Sequence, residues 1–194
     1  MILCVTGPMA TGKNYVTALL EKKGFVSIDA DLVGHKAVEE CREKILETFG
    51  SIAEEKKISL TDKNGNIIRR NLGALIFGND ELVKKQEQIV YPYITEIIEK
   101  FIEEHKNQNV IVNATVLYKI PLVKKMDKIL YVDVPAIVRF FRARKRDKMK
   151  MRQILARFKN QKKLFKCYKE TGVPVVKVRN WMSSLKKLDS IIEP

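Results

Sequence analysis

The residues with the clearest chemical potential lie between Gly7 and Asn14, where two glycines and a lysine have the spacing of a phosphate-binding loop. The apolar run Ile2–Val5 predicts a buried strand before this loop, and Tyr15–Leu20 has the spacing of an amphipathic helix after it. Glycines at such a turn let backbone amides approach an anion, and the helix N-terminus adds partial positive charge. The pattern therefore predicts that the loop binds the phosphates of a nucleotide, with Lys13 reaching the outer ones.

The position after the lysine departs from the usual pattern. Loops of this kind carry Ser or Thr there, whose hydroxyl binds Mg²⁺, whereas this chain has Asn14. An amide oxygen ligates Mg²⁺ or holds one of its waters, so Asn14 is the predicted metal-binding residue. An ordinary glycine-rich turn is the alternative, and the flanking strand, helix and lysine together favour nucleotide binding. The residues predicted to contact the nucleotide here are Gly7, Pro8, Met9, Ala10, Thr11, Gly12, Lys13, Asn14 and Tyr15.

Two carboxylates follow the second predicted strand. Phe25–Ile28 has strand character and runs into Asp29 and Asp31. Because the carboxyl ends of parallel strands share one edge of a sheet, both residues are expected on the side of the phosphate-binding loop. A carboxylate there can accept or orient the proton of an attacking hydroxyl. Capping of the following helix is the alternative role for either residue alone.

The basic residues are numerous, and the formal net charge of the chain is +14. Such a charge fits a nucleic-acid-binding protein or one that handles small polyanions such as nucleotides. The densest basic stretch, Arg139–Lys169, is interrupted by apolar residues at helical spacing, which indicates amphipathic helices with a solvated basic face. We therefore expect no nucleic-acid partner. Arg142 and Arg146 lie four residues apart on one helix face, and the residues near them that we expect to be solvated are Arg139, Arg144 and Lys145.

Length and composition are those of a folded globular chain. At 194 residues, with 45% hydrophobic and 31% charged residues, one domain with a substantial core is expected. No apolar stretch approaches the length of a membrane span and the N-terminus lacks signal-peptide features, so we expect a cytoplasmic protein without a membrane partner. The three cysteines are widely spaced and form no CxxC pair, which indicates reduced thiols. The oligomeric state stays open.

Strand and helix patterns alternate along the chain. Further strands are predicted at Val110–Val112, Ile129–Val134 and Val173–Val178. Helices are predicted at Leu32–Phe49 with a stop at Gly50, at Arg69–Phe77, at Glu81–Tyr91 with a restart at Pro92, at Ile94–Glu104 and at Met182–Ile192, with a turn at Asn64 and Gly65. This alternation predicts an α/β fold with a mostly parallel five-stranded sheet between two helical layers, and ligands at the carboxyl edge of its strands.

The motifs occur in an order that resembles the dephospho-CoA kinase family along nearly the whole chain. The most specific parts are the phosphate-binding loop and the Asp29–Asp31 segment. The order is supported by Arg69–Leu72, by Tyr91–Ile94, and by Val132–Val134 leading to Arg142 and Arg146. The resemblance implies a P-loop kinase that transfers the γ-phosphoryl group of ATP, with Mg²⁺, to the ribose 3′-hydroxyl of dephospho-CoA. It also implies a helical CoA-binding insertion at about residues 51–105 and a lid at about residues 143–168.

The resemblance assigns roles residue by residue. Asp31 matches the catalytic acidic position, and Thr6 matches an active-site threonine that has a structural role as its alternative. Lys13 is implied to contact the transferring phosphate. In the transition state, negative charge spreads over the phosphoryl oxygens, and guanidinium groups stabilise it there. Arg142 and Arg146 match the lid-region arginines of the family. The resemblance further implies that Asn180 lies near the adenine, that Gln161 is the lid glutamine, and that the acceptor contacts are Asp29, Asp31, Arg69 and Arg70.

Several positions depart from the family pattern, namely Asn14, Tyr91, Thr115–Leu117, Lys119 and Arg179. They fall mainly at the acceptor side and at the metal ligand. Two alternatives therefore accompany the kinase assignment. One is a P-loop kinase for another small acceptor, such as a nucleoside or nucleotide. The other is a nucleotide-binding protein without catalysis.

Overall fold

The central feature is a parallel sheet whose strands follow the predicted apolar runs. The computed structural model describes residues 1–147 and 150–181. Within them the sheet has the order β2-β3-β1-β4-β5, and every neighbouring pair is parallel. The strands are β1 (Ile2–Thr6), β2 (Phe25–Asp29), β3 (Asn109–Asn113), β4 (Lys128–Asp133) and β5 (Val175–Arg179). The predicted α/β class with five parallel strands is confirmed.

The helices of the described residues connect these strands. They are α1 (Lys13–Glu21), α2 (Ala30–Glu40), α3 (Arg42–Glu55), α4 (Arg69–Ile76), α5 (Asp80–Glu104), α6 (Ala136–Asp147), α7 (Met151–Asn160) and α8 (Leu164–Lys169). Short 3₁₀ turns at Leu117–Lys119 and Pro121–Lys125 follow β3. The closing helix predicted at 182–192 lies outside the described residues, as do positions 148 and 149 of the predicted lid. None of the helices in the described residues combines the length and hydropathy of a membrane-spanning segment.

The chain divides into two compact units. One comprises Met1–Ala30 with the described part of Phe101–Pro194, and the other comprises Asp31–Lys100. In the first unit the three central strands, β3, β1 and β4, are buried on both faces, as parallel strands covered by helices must be, while the edge strands β2 and β5 are partly exposed. Leu3 and Leu130 in the sheet and Leu20 in α1 are fully buried in one apolar cluster. This cluster fixes the strand ends that carry the site, and truncating Leu130 to Ala is expected to cost about 2–5 kcal/mol of stability.

In the second unit, the single helix predicted for Leu32–Phe49 is two helices, and the predicted stop at Gly50 is wrong. The break falls at Cys41, whose φ of −90° and ψ of 17° lie off the helical values. Gly50 lies inside α3 because the buried stripe of Ile45, Phe49 and Ala53 continues past it. Packing of this apolar stripe therefore outweighs the low helix propensity of a single glycine.

The predicted restart at Pro92 is also wrong, because α5 runs unbroken through that residue. A proline inside a helix removes one hydrogen bond and typically costs about 3 kcal/mol. The buried residues Val90, Ile94 and Ile98 continue at a spacing of four across Pro92. Their burial offsets the cost, so apolar periodicity is the stronger signal here.

The turn predicted at Asn64 and Gly65 is confirmed. The Asp62 carboxylate accepts hydrogen bonds from the backbone amides of Asn64 and Asn66 and from the Asn66 side chain, at 2.8–3.2 Å. These bonds lower the pKa of Asp62, since they stabilise its charged form. The turn closes an isolated antiparallel bridge between Thr61 and Ile67.

Candidate nucleotide-binding and phosphotransfer site

The loop between β1 and α1, residues 7–12, has a backbone that only glycine fits at two points. Gly7 has φ +150°, and a Cβ there would collide with the carbonyl oxygen of Val132. Gly12 has φ +87°, and a Cβ there would collide with the side-chain amide of Asn180. The glycine requirement at both positions is therefore steric as well as conformational. We call this loop the P-loop.

Bonds within the P-loop hold it at the start of α1. The Thr11 hydroxyl donates to the carbonyl of Pro8 at 2.9 Å, and Gly12 accepts from the amides of the first turn of α1 at 3.1 Å. The ammonium group of Lys13 donates to the carbonyl of Gly7 at 3.3 Å, so it lies over the loop. Backbone amides, a helix N-terminus and one lysine thus converge, which is an arrangement that binds phosphate.

Asn14, the predicted metal residue, is paired with a second asparagine. The side-chain nitrogen of Asn113 donates to the Asn14 oxygen at 3.0 Å. Asn113 ends β3, in register with Asp29 at the end of β2, so both lie at the carboxyl edge of the sheet. The Asn113 oxygen is buried and has no hydrogen-bond partner among the described residues. Amide and carboxylate oxygens are suitable ligands or water acceptors for Mg²⁺, so the residues present fit such an ion.

A cavity of about 700 Å³ opens beside the P-loop. It is lined by Ala10, Gly12, Tyr15, Arg142, Lys145, Arg146 and Asn180. Both predicted lid arginines therefore face the same space. The Arg142 guanidinium also donates to the carbonyls of Thr11 at 3.4 Å and Asn180 at 3.2 Å, while the Asn180 side chain donates to Thr11 at 2.8 Å. Thr11 thereby joins the P-loop to α6 and to the end of β5.

Met9, in the P-loop, is the residue that contacts both α6 and the segment at the end of α7. Its backbone amide donates to the Gln161 side chain at 2.8 Å, and its carbonyl accepts from Arg139 at 2.9 Å. The side chain of Met9 packs with Ala143 of α6 and Ile154 of α7. The helices α6 and α7 are therefore joined to the P-loop through Met9.

The prediction that Arg139 is a solvated surface residue is wrong. Its guanidinium lies 4.2 Å from the ring centroid of Phe158, a cation–π contact, and the residue is half-buried beside Tyr131. Burial lowers the pKa of Arg139 below its usual range, since it disfavours the charged form. Lys145 is exposed, as predicted, and also lines the cavity. Arg144 is exposed, as predicted.

Thr6 is fully buried at the end of β1. The Tyr168 phenol beneath it accepts from the amide of Leu117 at 3.0 Å and donates to the carbonyl of Thr115 at 3.3 Å. Burial raises the pKa of Tyr168, and it raises the pKa of the neighbouring Cys4 to about 12. Both the catalytic role and the structural role of Thr6 stay predictions.

The predicted acceptor residues belong to the second unit, apart from Asp29. Asp31 is the second residue of α2 and is exposed. Arg69 and Arg70 are the first residues of α4, and both are exposed. An acidic residue in a first helical turn complements the helix dipole, so Asp31 has a structural contribution whatever else it does.

Sequence patterns alone missed Asn113 and the contact of Arg139 with the P-loop. The signal for Asn113 was available, because it is a polar residue that follows an apolar strand at the same sheet edge as Asp29. No such signal exists for Arg139, whose partner is a backbone carbonyl of the P-loop.

Comparison with known proteins agrees with this geometry. The family model for dephospho-CoA kinase matches residues 1–171. The dephospho-CoA kinase of Treponema denticola is 36% identical over 188 residues, covering 95% of this chain and 84% of that protein. A crystal structure from Thermus thermophilus has a TM-score of 0.80 at 22% identity and covers 100% of this chain and 98% of its own. The structure of dephospho-CoA kinase from Campylobacter jejuni has a TM-score of 0.62 at 23% identity, and the match covers 98% of this chain and 95% of that one.

The two structural likenesses show the P-loop kinase fold. The family match spans most of the chain, and the sequence relative exceeds 30% identity over nearly all of it. The chain therefore belongs to the dephospho-CoA kinase family, which carries out ATP-dependent phosphorylation of dephospho-CoA in coenzyme A synthesis.

Proposed function

We propose that the chain transfers the γ-phosphoryl group of ATP to the ribose 3′-hydroxyl of dephospho-CoA, and that the P-loop and the cavity beside it bind the ATP. The observation that carries this proposal is the close packing of the P-loop at Gly7 and Gly12. In addition, the carbonyl of Thr11 accepts hydrogen bonds from both Arg142 and Asn180. A loop built this way keeps its amides in place for a phosphate chain without reorganisation. Asn180 and Tyr15 then lie where the nucleotide enters the cavity.

The basic residues divide into two roles in this proposal. Lys13 and the P-loop amides hold the outer phosphates of ATP, while Arg142 and Arg146 stabilise charge on the phosphoryl group in the transition state. Phosphoryl transfer requires little covalent chemistry from the protein, so positioning and charge stabilisation supply most of the rate. The shared cavity of the two arginines supports this division.

Asp31 is the proposed base, and Asp29 its support. The exposed carboxylate of Asp31 stands two residues beyond the end of β2, close along the chain to the sheet edge that carries the P-loop. A carboxylate so placed accepts the proton of the attacking hydroxyl. Arg69 and Arg70, exposed at the start of α4, are the proposed contacts to the acceptor's phosphate.

Mg²⁺ is the proposed cation, with Asn14 as the residue that holds it or one of its waters. When bound, the ion neutralises charge on the β- and γ-phosphates. The pairing of Asn14 with Asn113 supports an amide-based site. We also propose a cytoplasmic location for the activity.

The test is an acceptor panel with one ATP assay. The purified chain is incubated with ATP and Mg²⁺, and with dephospho-CoA, a nucleoside or a nucleoside monophosphate in turn, and products are identified by mass spectrometry. We expect ATP turnover with dephospho-CoA and a product phosphorylated at the 3′-hydroxyl. Turnover with another acceptor alone would establish a different kinase, and ATP binding without any transfer would establish a protein without catalysis.

A further inference from the structure

Asn113, whose side chain is 5% exposed, contacts the P-loop-flanking residue Asn14 from the neighbouring strand. It lies at the end of β3, next to β1 in the sheet. Its nitrogen donates to the Asn14 oxygen at 3.0 Å. That oxygen is the atom through which Asn14 would contact a cation, and the bond leaves it a second lone pair.

The bond has a consequence for the orientation of Asn14. The side chain of Asn14 is itself exposed and, without a partner, would sample several rotamers. Asn113 is buried in the sheet and therefore rigid, so it selects the rotamer of Asn14 in which the amide oxygen faces the sheet edge. Ordering before the ligand arrives reduces the entropy lost on binding.

The second polar atom of the Asn113 side chain also bears on the site. Its oxygen is buried with no hydrogen-bond partner among residues 1–147 and 150–181. Buried acceptors are nearly always satisfied, so this oxygen requires a donor. A phosphate oxygen is itself an acceptor and cannot serve. A water molecule coordinated by a cation is a strong donor and can.

We propose that Asn113 is a positioning residue for the divalent cation of the nucleotide, acting through Asn14 and through a cation-bound water. The proposal deepens the proposed function and rests on it. In this chain a pair of amides replaces the single hydroxyl that follows the lysine in the usual loop. Asn113 carries no charge, so its contribution is orientation and hydrogen bonding rather than attraction of the ion.

The experiment measures the affinity for ADP by titration calorimetry, once with Mg²⁺ and once with EDTA. The ratio of the two affinities is the gain due to the cation. For Asn113→Leu we expect this gain to fall by about tenfold or more, as for other residues that orient metal ligands. The affinity in EDTA should stay within about twofold of the original, since the P-loop amides and Lys13 are untouched.

Two further variants separate positioning from simple packing. Asn14→Ala should lose the same gain, and the double variant Asn14→Ala/Asn113→Leu should lose no more than either single one, since the two amides act as a unit. Asn109→Leu, at the opposite exposed end of β3, is the control and should retain the full gain. Circular dichroism checks folding, and Asn113→Ala replaces Asn113→Leu should the latter not fold.

Three outcomes would overturn the proposal. They are an unchanged gain in the Asn113 variant, an equal loss of ADP affinity with Mg²⁺ and with EDTA, and additive losses in the double variant. ADP binding needs no acceptor, so the two proposals fail separately. Loss of transfer to dephospho-CoA would contradict the proposed function and leave the calorimetric result standing.

Discussion

The side-chain oxygen of Gln161, just after α7, accepts a 2.8 Å hydrogen bond from the backbone amide of Met9 in the P-loop. Met9 also accepts from Arg139 of α6 through its carbonyl, so both backbone groups of this one residue are bonded to α6 or to the end of α7. The P-loop and these two helices therefore share a backbone junction at Met9.

Replacing Gln161 with Leu tests this junction. The change removes one hydrogen bond, which is worth about 1 kcal/mol or about fivefold in an equilibrium. We expect kcat with ATP and dephospho-CoA to fall by about fivefold, while the affinity for ADP changes less, because the phosphate-binding amides other than Met9 are unaffected. Asn160→Ala, on the exposed neighbouring residue, is the control. A normal kcat in Gln161→Leu would show that the junction does not affect turnover.

Replacing Gly12 with Ala tests whether the close packing of the P-loop against Asn180 is needed for nucleotide binding. The new Cβ would collide with the side chain of Asn180, at a φ of +87° that L-residues adopt only with strain. We expect ADP binding to be lost or weakened by at least about tenfold, measured by calorimetry, since relief of the collision must move Asn180 away from Thr11.

Gly24 provides the matched control for that change. It has φ +91°, but no atom of the described residues lies within 4 Å of the place where a Cβ would stand, so Gly24→Ala carries only the backbone strain. We expect Gly24→Ala to lower stability by about 1–2 kcal/mol and to leave ADP affinity unchanged. Equal ADP affinities in the two variants would contradict the steric argument for Gly12.

Asp31→Asn tests the proposed base. The amide cannot accept the proton of the attacking hydroxyl, so kcat should fall by about 10²–10⁴-fold while ATP affinity is retained. Loss of a helix-capping charge is the competing explanation. Asp80→Asn is its control, because Asp80 also lies exposed in a first helical turn, that of α5. Near-normal turnover in Asp31→Asn would remove Asp31 from the mechanism.

The sequence predicts the sheet well and the helix boundaries less well, for a physical reason. Strands such as β3 are short apolar runs between polar residues, and the P-loop glycines are required by local backbone geometry. Local signals therefore find them. Gly50 and Pro92 are also local signals, but buried apolar stripes override both and carry the helices through.

The candidate site divides in the same way. Residues proposed to contact a ligand through a motif, such as Lys13, are visible in the sequence. Asn113 and Arg139 contact residues in or beside the P-loop about a hundred residues or more away along the chain, at Asn14 and Met9. Only the order of the strands and the packing of α6 bring these pairs together, and neither is encoded in a local pattern.

The buried thiol of Cys4 predicts a loss of stability at alkaline pH. Burial raises its pKa from 9.0 to about 12. Between these values the unfolded chain releases the thiol proton while the folded chain keeps it, so folding becomes less favourable as the pH rises above 9. By pH 10 the loss should be about 1 kcal/mol, at 1.36 kcal/mol for each pH unit.

Urea unfolding of the original chain and of Cys4→Ala, at pH 8 and pH 10, measures this effect. Cys4→Ala alters packing at both pH values, so only the difference between pH values is compared. We expect the drop in unfolding free energy from pH 8 to pH 10 to be smaller in Cys4→Ala by about 1 kcal/mol.

Cys167→Ala, at a partly exposed thiol, is the control and should leave the drop unchanged. Because Tyr131, whose pKa burial raises to about 12, titrates in both chains, its contribution cancels in the comparison. Identical drops in the original chain and Cys4→Ala would mean that the folded protein ionises Cys4 as readily as the unfolded chain does.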